Sequence, residues 1–273
     1  MRRTIGNTVI VVACIALIVV ALFPVLWMLL SSFKTDADIF SLPPKWLFVP
    51  TGRNYAHVVG EMGMGPALLQ SVIVALGTTA LAVVLGVPAG YAIARFAFRG
   101  RRDVWFWFIS NFMMIPVVLV IPYFVIAGIL RLIDSPIVLI LVYQTFAIPL
   151  VMWMSADQFR SISKQIEEAA MIDGASRFAV FTRIAIPLAS PGIAVGAIFA
   201  LIFSWNELLY ALILMPRPDA RTAPITAISF LGGYSIPWGD VMAAGTLIAA
   251  PILVFALIFS RYLVRGLTLG AVK

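Results

Sequence analysis

The stretch from Ser161 to Gly192 reads SISKQIEEAAMIDGASRFAVFTRIAIPLASPG, unlike the rest of an apolar chain. Its adjacent carboxylates, Glu167 and Glu168, can meet basic groups or backbone donors of a partner. Asp173-Gly174 supplies a bend. One histidine, His57, and one cysteine, Cys14, leave no intrachain disulfide, zinc cluster or HExxH site. No Gly-Lys pair occurs, so a Walker A loop is absent and the chain cannot be its own P-loop ATPase.

A second group of polar residues lies inside apolar runs. Glu207 is the one carboxylate there, where a charge costs roughly 3 kcal/mol or more at mid-bilayer. At ~1.5 Å per residue it stands about 24 Å along a helix from Pro191, in the outer half. Ser204, one turn earlier, shares its face, and Asn206 and Gln144 also lie at membrane depth. These four either line a solute path or form a buried network that holds subunits together. Asn111 and Tyr143 read as structural.

The elements that must carry these groups follow from hydropathy. The 273 residues are 62% hydrophobic and 11% charged, against about a quarter charged in soluble domains. Six runs are long enough to cross a ~30 Å hydrocarbon layer: 9–30, 68–93, 104–129, 137–154, 191–214 and 241–263. Each holds a proline, which a membrane bundle tolerates where neighbours satisfy the freed carbonyls. None alternates polar and apolar residues. The expectation is one all-α domain over 1–273 with six spans. Arg2 and Arg3 precede the first run, but it is longer than a signal h-region and no A-x-A site follows, so it reads as an uncleaved span.

Basic residues in alternate connecting segments number thirteen on one side and six on the other. Both termini are therefore expected in the cytoplasm. That asymmetry accounts for the net charge of +7 without a nucleic-acid partner. Trp105, Trp107 and Trp153 fit interfacial belts. Gly86-x-x-x-Gly90 and Gly192-x-x-x-Gly196 read as helix-packing faces.

The loop 155–186 between the fourth and fifth spans falls on the cytoplasmic side. Its apolar residues recur at helical spacing. Ser161 or Ser163 can cap a first helix, Gly174 can end it in a left-handed turn, and Ser176 can cap a second that leads to Pro187. The unit is either an amphipathic helix resting on lipid or a docking element. Two adjacent carboxylates beside an anionic leaflet favour the second.

The order Glu168-Ala169-Ala170, then Gly174, then Ile184-x-Ile186-Pro187 resembles the EAA loop of ABC importer permeases, with Ile186 where such permeases usually have Leu. The resemblance implies the type I importer permease fold. It also implies that Glu167, Glu168, Ala169, Ala170, Asp173 and Gly174 form a coupling helix, which docks on a separate ATPase subunit. Ser32-Phe33-Lys34, Pro43-Pro44-x-Trp46 and Pro50-Thr51-x-x-Asn54-Tyr55 are similar to the first external loop of the maltose-type, carbohydrate-uptake branch. Gly266 to Lys273 is similar to that branch's glycine-rich tail, a second ATPase contact or a frayed end.

The short first external loop makes the chain like the smaller permease of a maltose-type pair. The implied function is half of an ATP-driven path for a sugar or sugar-like solute, with Asn206, Glu207, Ser204 and Gln144 as candidate path residues. Gly232, Gly233, Tyr234 and Ser235 are nominated as a contact for the binding protein, or are merely a turn. Implied partners are a second permease subunit, an ATPase dimer, a periplasmic or lipid-anchored solute-binding protein and membrane lipid, in a bacterial inner membrane. No cofactor is expected on this chain; ATP and Mg belong to the ATPase, and the chain is not itself an enzyme. The competing class is an ion-gradient-driven secondary transporter, which would carry more ionisable residues in its spans and an internal repeat.

Overall fold

The computed structural model describes residues 2–232 and 236–269, and side chains from residue 10 to 232, 236 to 255 and at 257. The described residues are helical, without a strand among them. The long helices are α1 (Arg2–Ser32), α4 (Met64–Arg95) and α14 (Trp238–Leu269). Shorter ones are α2 (Asp36–Ile39), α3 (Arg53–Gly60), α5 (Arg101–Met113), α6 (Pro116–Ile129), α7 (Pro136–Val142) and α8 (Gln144–Ser161). Then follow α9 (Lys164–Ile172), α10 (Arg177–Val180), α11 (Ile186–Asn206), α12 (Leu209–Leu214) and α13 (Ala223–Ser229). A π-helical turn, Phe181–Ala185, joins α10 to α11, so that 177–206 is one continuous apolar helix.

Among the described residues four helices are long and apolar enough to cross a membrane, and two bent pairs bring the number to as many as six. The expected third run, 104–129, is one such pair: α5 and α6 meet at 96°. Pro116 heads α6, and Ile115 before it is extended at φ −68°, ψ 123°, because the proline ring disfavours helical backbone in the preceding residue. The fourth run is also bent, by 47° between α7 and α8, and α8 continues to Ser161, beyond the end read from hydropathy.

Contacts group the chain into two compact units, Met1–Gly65 with Thr226–Pro251 and Pro66–Ile225 with Ile252–Lys273. In the first, Asn54 Nδ2 donates to the carbonyls of Ser32 (2.8 Å) and Lys34 (2.9 Å). Ser32 Oγ lies 2.7 Å from Tyr55 Oη. The Ser32-Phe33-Lys34 and Asn54-Tyr55 segments, apart in sequence, thus knit together. The buried Lys34 ammonium sits 4.4 Å from the Trp27 ring and 5.1 Å from that of Phe48.

In the second unit α8 is held between two glycine faces. A Cβ on Gly90 of α4 would stand 2.8 Å from the Met152 carbonyl, and one on Gly192 of α11 would stand 2.5 Å from Gln158 Cβ. Both glycine pairs read from the sequence therefore bring backbones together. A small-residue core of Ala82, Ala147, Val151, Ala189 and Ala200 fills the contact and reaches Phe159.

Candidate functional site

Local chemistry builds the loop as a helix, a turn and a second helix. Ser163 is extended and its hydroxyl accepts from Gln165 N (3.3 Å), capping α9. After α9 the Gly174 N–H donates to Met171 O (3.1 Å) and Ala175 N to Ala170 O (3.0 Å). Gly174 has φ +90° with open space where a Cβ would be, so backbone conformation demands glycine here and crowding does not. Ser176 caps α10 through Ala179 N at 3.2 Å.

The two adjacent carboxylates have opposite surroundings. Glu168 is exposed, as are Ala169, Asp173 and Gly174. Apolar Ile172 (86% exposed) and Phe178 (74%) stand in the same loop. Glu167 points into its own chain. Its Oε1 lies 2.7 Å from both Nε and Nη2 of Arg95, and its Oε2 accepts from Tyr91 Oη at 2.7 Å. Arg95 Nη2 also donates to the Ile162 carbonyl at 3.0 Å. The Arg95 and Glu167 side chains are 6% and 7% exposed. The Tyr91 ring packs on Phe159 at 5.2 Å and Phe181 at 4.8 Å.

This cluster joins the end of α4, the end of α8, α9 and the turn before α11. Burying two charges is tolerated because each is paired and hydrogen-bonded. The cluster ties α9 to the ends of α4 and α8. Tyr91 and Arg95 escaped the sequence reading. Their signal is there: a hydroxyl and a guanidinium at i, i+4, one face of the last turn of an apolar helix.

At membrane depth the structure separates the four candidate path residues. The long helix ends at Asn206, and Glu207 is extended (ψ 129°). Its carboxylate accepts from Tyr143 Oη at 2.8 Å and from the backbone N–H groups of Tyr210 (3.1 Å) and Ala211 (3.3 Å). Glu207 thus starts α12 and ties it to Tyr143, across a break the hydropathy run did not reveal. The Ser204 hydroxyl is buried and donates to Ala200 O at 2.7 Å in its own helix. Asn206 is exposed and donates to Ile202 O at 2.8 Å.

Gln144 is different. Its Nε2 donates to Ile140 O (2.7 Å) and Thr78 O (3.3 Å), while its buried Oε1 has no partner. It lines a cavity of about 290 Å³ with Asn111, Thr145, Trp107, Phe108 and Tyr123. Amide, hydroxyl and aromatic faces converge there. Asn111, read from sequence as structural, shares that wall.

The first unit holds a polar cleft of about 240 Å³ lined by Asp36, Arg53, Asn54, His57 and Asp240, among others. His57 Nδ1 lies 2.8 Å from Asp240 Oδ2. Gly232 is exposed at the end of a short 3₁₀ turn, 230–232. Gly233, Tyr234 and Ser235 lie outside the described residues, as do Gly270 to Lys273. No group of three or more His, Cys, Asp or Glu suited to a metal occurs among the described residues.

Comparison with known proteins adds an independent finding. A family described as "Binding-protein-dependent transport system inner membrane component" matches residues 86–269. The chain is 39% identical over 257 residues to the trehalose transport system permease protein SugB of Mycobacterium tuberculosis, covering 93% of each. It is 33% identical to the trehalose/maltose transport system permease protein MalG of Thermococcus litoralis, over 100% of this chain and 99% of that one. With the sulfoquinovosyl glycerol transport system permease protein SmoH of Agrobacterium fabrum it shares 34% identity over 96% and 92%. A solved bacterial ABC transporter involved in the import of the acidic polysaccharide alginate superposes with a TM-score of 0.75 at 20% identity, covering 95% and 96%, which shows a common fold.

Proposed function

The chain belongs to the family of binding-protein-dependent transport system inner membrane components, and from that premise we propose that it is one permease subunit of an ATP-driven importer for a sugar or sugar-like solute. It works beside a second permease, an ATPase dimer that holds ATP and Mg, and a solute-binding protein on the outer side. Its home is the bacterial inner membrane, with both termini cytoplasmic, as the thirteen-to-six division of basic residues argues.

The observation that carries this reading is the division of labour on α9. Glu167 is anchored inside by Arg95 and Tyr91, while Glu168, Ala169 and Ile172 face outward. A helix merely resting on lipid needs no such anchor. A lever pushed by a partner needs both a rigid attachment and a contact face, and rigid helices then carry its displacement into the bundle.

The solute class is supported by two things. The relatives' names specify trehalose, maltose and sulfoquinovosyl glycerol transport. The cavity beside Gln144 combines rings and amides, which suits polyhydroxylated solutes, and its unpaired Oε1 calls for a donor. Asn206, Glu207 and Ser204 contribute to the path mainly by shaping the break between α11 and α12. The segment Gly232 to Ser235 supplies the proposed contact for the binding protein.

The test is reconstitution. The purified chain alone should neither hydrolyse ATP nor transport. Co-expressed with its partners it should show hydrolysis stimulated by loaded binding protein. Solute uptake by the chain alone under an ion gradient would overturn the proposal in favour of a secondary transporter.

A further inference from the structure

A basic groove of about 530 Å³ lies at the same end of the second unit as the coupling loop, where the last residues of α4 and α8 meet the start of α5. Arg101, Arg102 and Arg160 line it against a single carboxylate, Asp103. None of the ion pairs among the described residues involves these arginines. The Arg160 guanidinium is held 5.0 Å from the Trp105 ring, also in the groove. This contrasts with Arg95 nearby, whose guanidinium is saturated by Glu167 and Ile162. The structure therefore keeps three positive groups in a concavity with one carboxylate against them.

We propose that this groove binds the headgroup of an anionic phospholipid. Charge complementarity calls for an anion, and guanidinium forks match phosphate oxygens. The apolar surroundings select a lipid as its source. Ile93 and Phe98 line the groove wall, and Phe106 and Trp107, next along α5, are exposed. A phosphate seated on the arginines can therefore lay its acyl chains along α5. A soluble anion gains nothing from that surface. Trp105 at the rim is the residue type that lies at headgroup level, and basic pockets between spanning helices are suited to lipid headgroups. Because Arg160 is two residues from Ile162, which accepts from Arg95, the bound headgroup abuts the coupling-loop joint. The inference needs the membrane spans but neither the solute nor the ATPase assignment.

The whole chain is placed in nanodiscs of equal phosphatidylglycerol and phosphatidylcholine with the same acyl chains. Lipid retained after mild detergent extraction is weighed by native mass spectrometry. Wild type should retain phosphatidylglycerol preferentially. Each arginine should contribute about fivefold, so Arg160→Gln loses about that factor and the Arg101→Gln/Arg102→Gln/Arg160→Gln variant loses the preference. Arg131→Gln/Arg217→Gln, with two charges removed elsewhere, should keep it. Unchanged enrichment in both Arg160→Gln and the triple variant overturns the proposal. So does displacement of the lipid by excess inorganic phosphate, which marks a site for free anions. Loss of the ATPase from the co-expressed complex with lipid enrichment intact also overturns it, and makes the groove a protein contact.

Discussion

Replacing Glu167 by Ala should detach α9 from the helices it is proposed to move, without touching the face offered to a partner. In wild type the Arg95 and Glu167 side chains are 6% and 7% exposed and meet at 2.7 Å. Removing one member of such a pair leaves the other buried and unmatched, at a cost of about 3–5 kcal/mol. Arg95 would keep only the Ile162 carbonyl, and the Tyr91 hydroxyl would lose its acceptor. Each ~1.4 kcal/mol is a factor of ten. The docked population of α9 should then fall by roughly two to three and a half orders of magnitude relative to the undocked one.

Hydrogen exchange of the α9 amides in the reconstituted complex reads this directly, and hydrolysis with loaded binding protein reads its consequence. Protection should fall and stimulation should be lost. Glu168→Lys should show the reverse pattern, normal α9 protection with the ATPase lost on purification. Exchanging both anchors in Arg95→Met/Glu167→Leu removes the uncompensated charge, so α9 protection should largely return. The decisive quantity is the coupling between Arg95→Ala and Glu167→Ala. If their effects on α9 protection simply add, to within about 0.5 kcal/mol, the two residues do not act as one joint and the lever argument fails.

Other expectations concern the turn, the helix break and the packing. Gly174→Val should abolish uptake with binding-protein affinity unchanged, because φ +90° costs an L-residue about 1–2 kcal/mol and a β-branched one more; normal uptake by this variant would refute it. Glu207→Ala should impair transport more than Glu207→Gln, since alanine removes the α12 cap, typically ~1 kcal/mol, and orphans the Tyr143 hydroxyl, about 1–3 kcal/mol. Equal uptake rates in both variants and wild type would leave that cap without a role. Gly90→Val should lower the yield of assembled protein, since its Cβ would meet the Met152 carbonyl at 2.8 Å and overpacking costs about 1–3 kcal/mol; thermal stability in detergent measures it.

Much of the protein was legible one residue type at a time. Apolar runs of spanning length required membrane helices, because an unpaired backbone cannot sit in hydrocarbon. Ser161 or Ser163, Gly174 and Ser176 marked the loop's caps and turn, since capping and left-handed geometry are local properties, and the structure uses Ser163 while Ser161 ends α8. Glycines four apart marked the close contacts of α4 and α11 with α8, though not that both would grip that one helix.

What only tertiary structure decided was the partner of each polar group. Glu167 and Glu168 are neighbours of identical chemistry, and nothing local says that one turns inward and the other outward. The direction follows from where Arg95, seventy-two residues earlier, ends its helix. The same holds for Glu207. Hydropathy ran the fifth span past it, while Tyr143 and the α12 amides made it a terminus. The bend of 96° between α5 and α6 was signalled by Pro116, but a proline specifies only that the helix is interrupted before it. Its direction and size depend on the neighbours that pack against the two halves, and those come from distant parts of the chain.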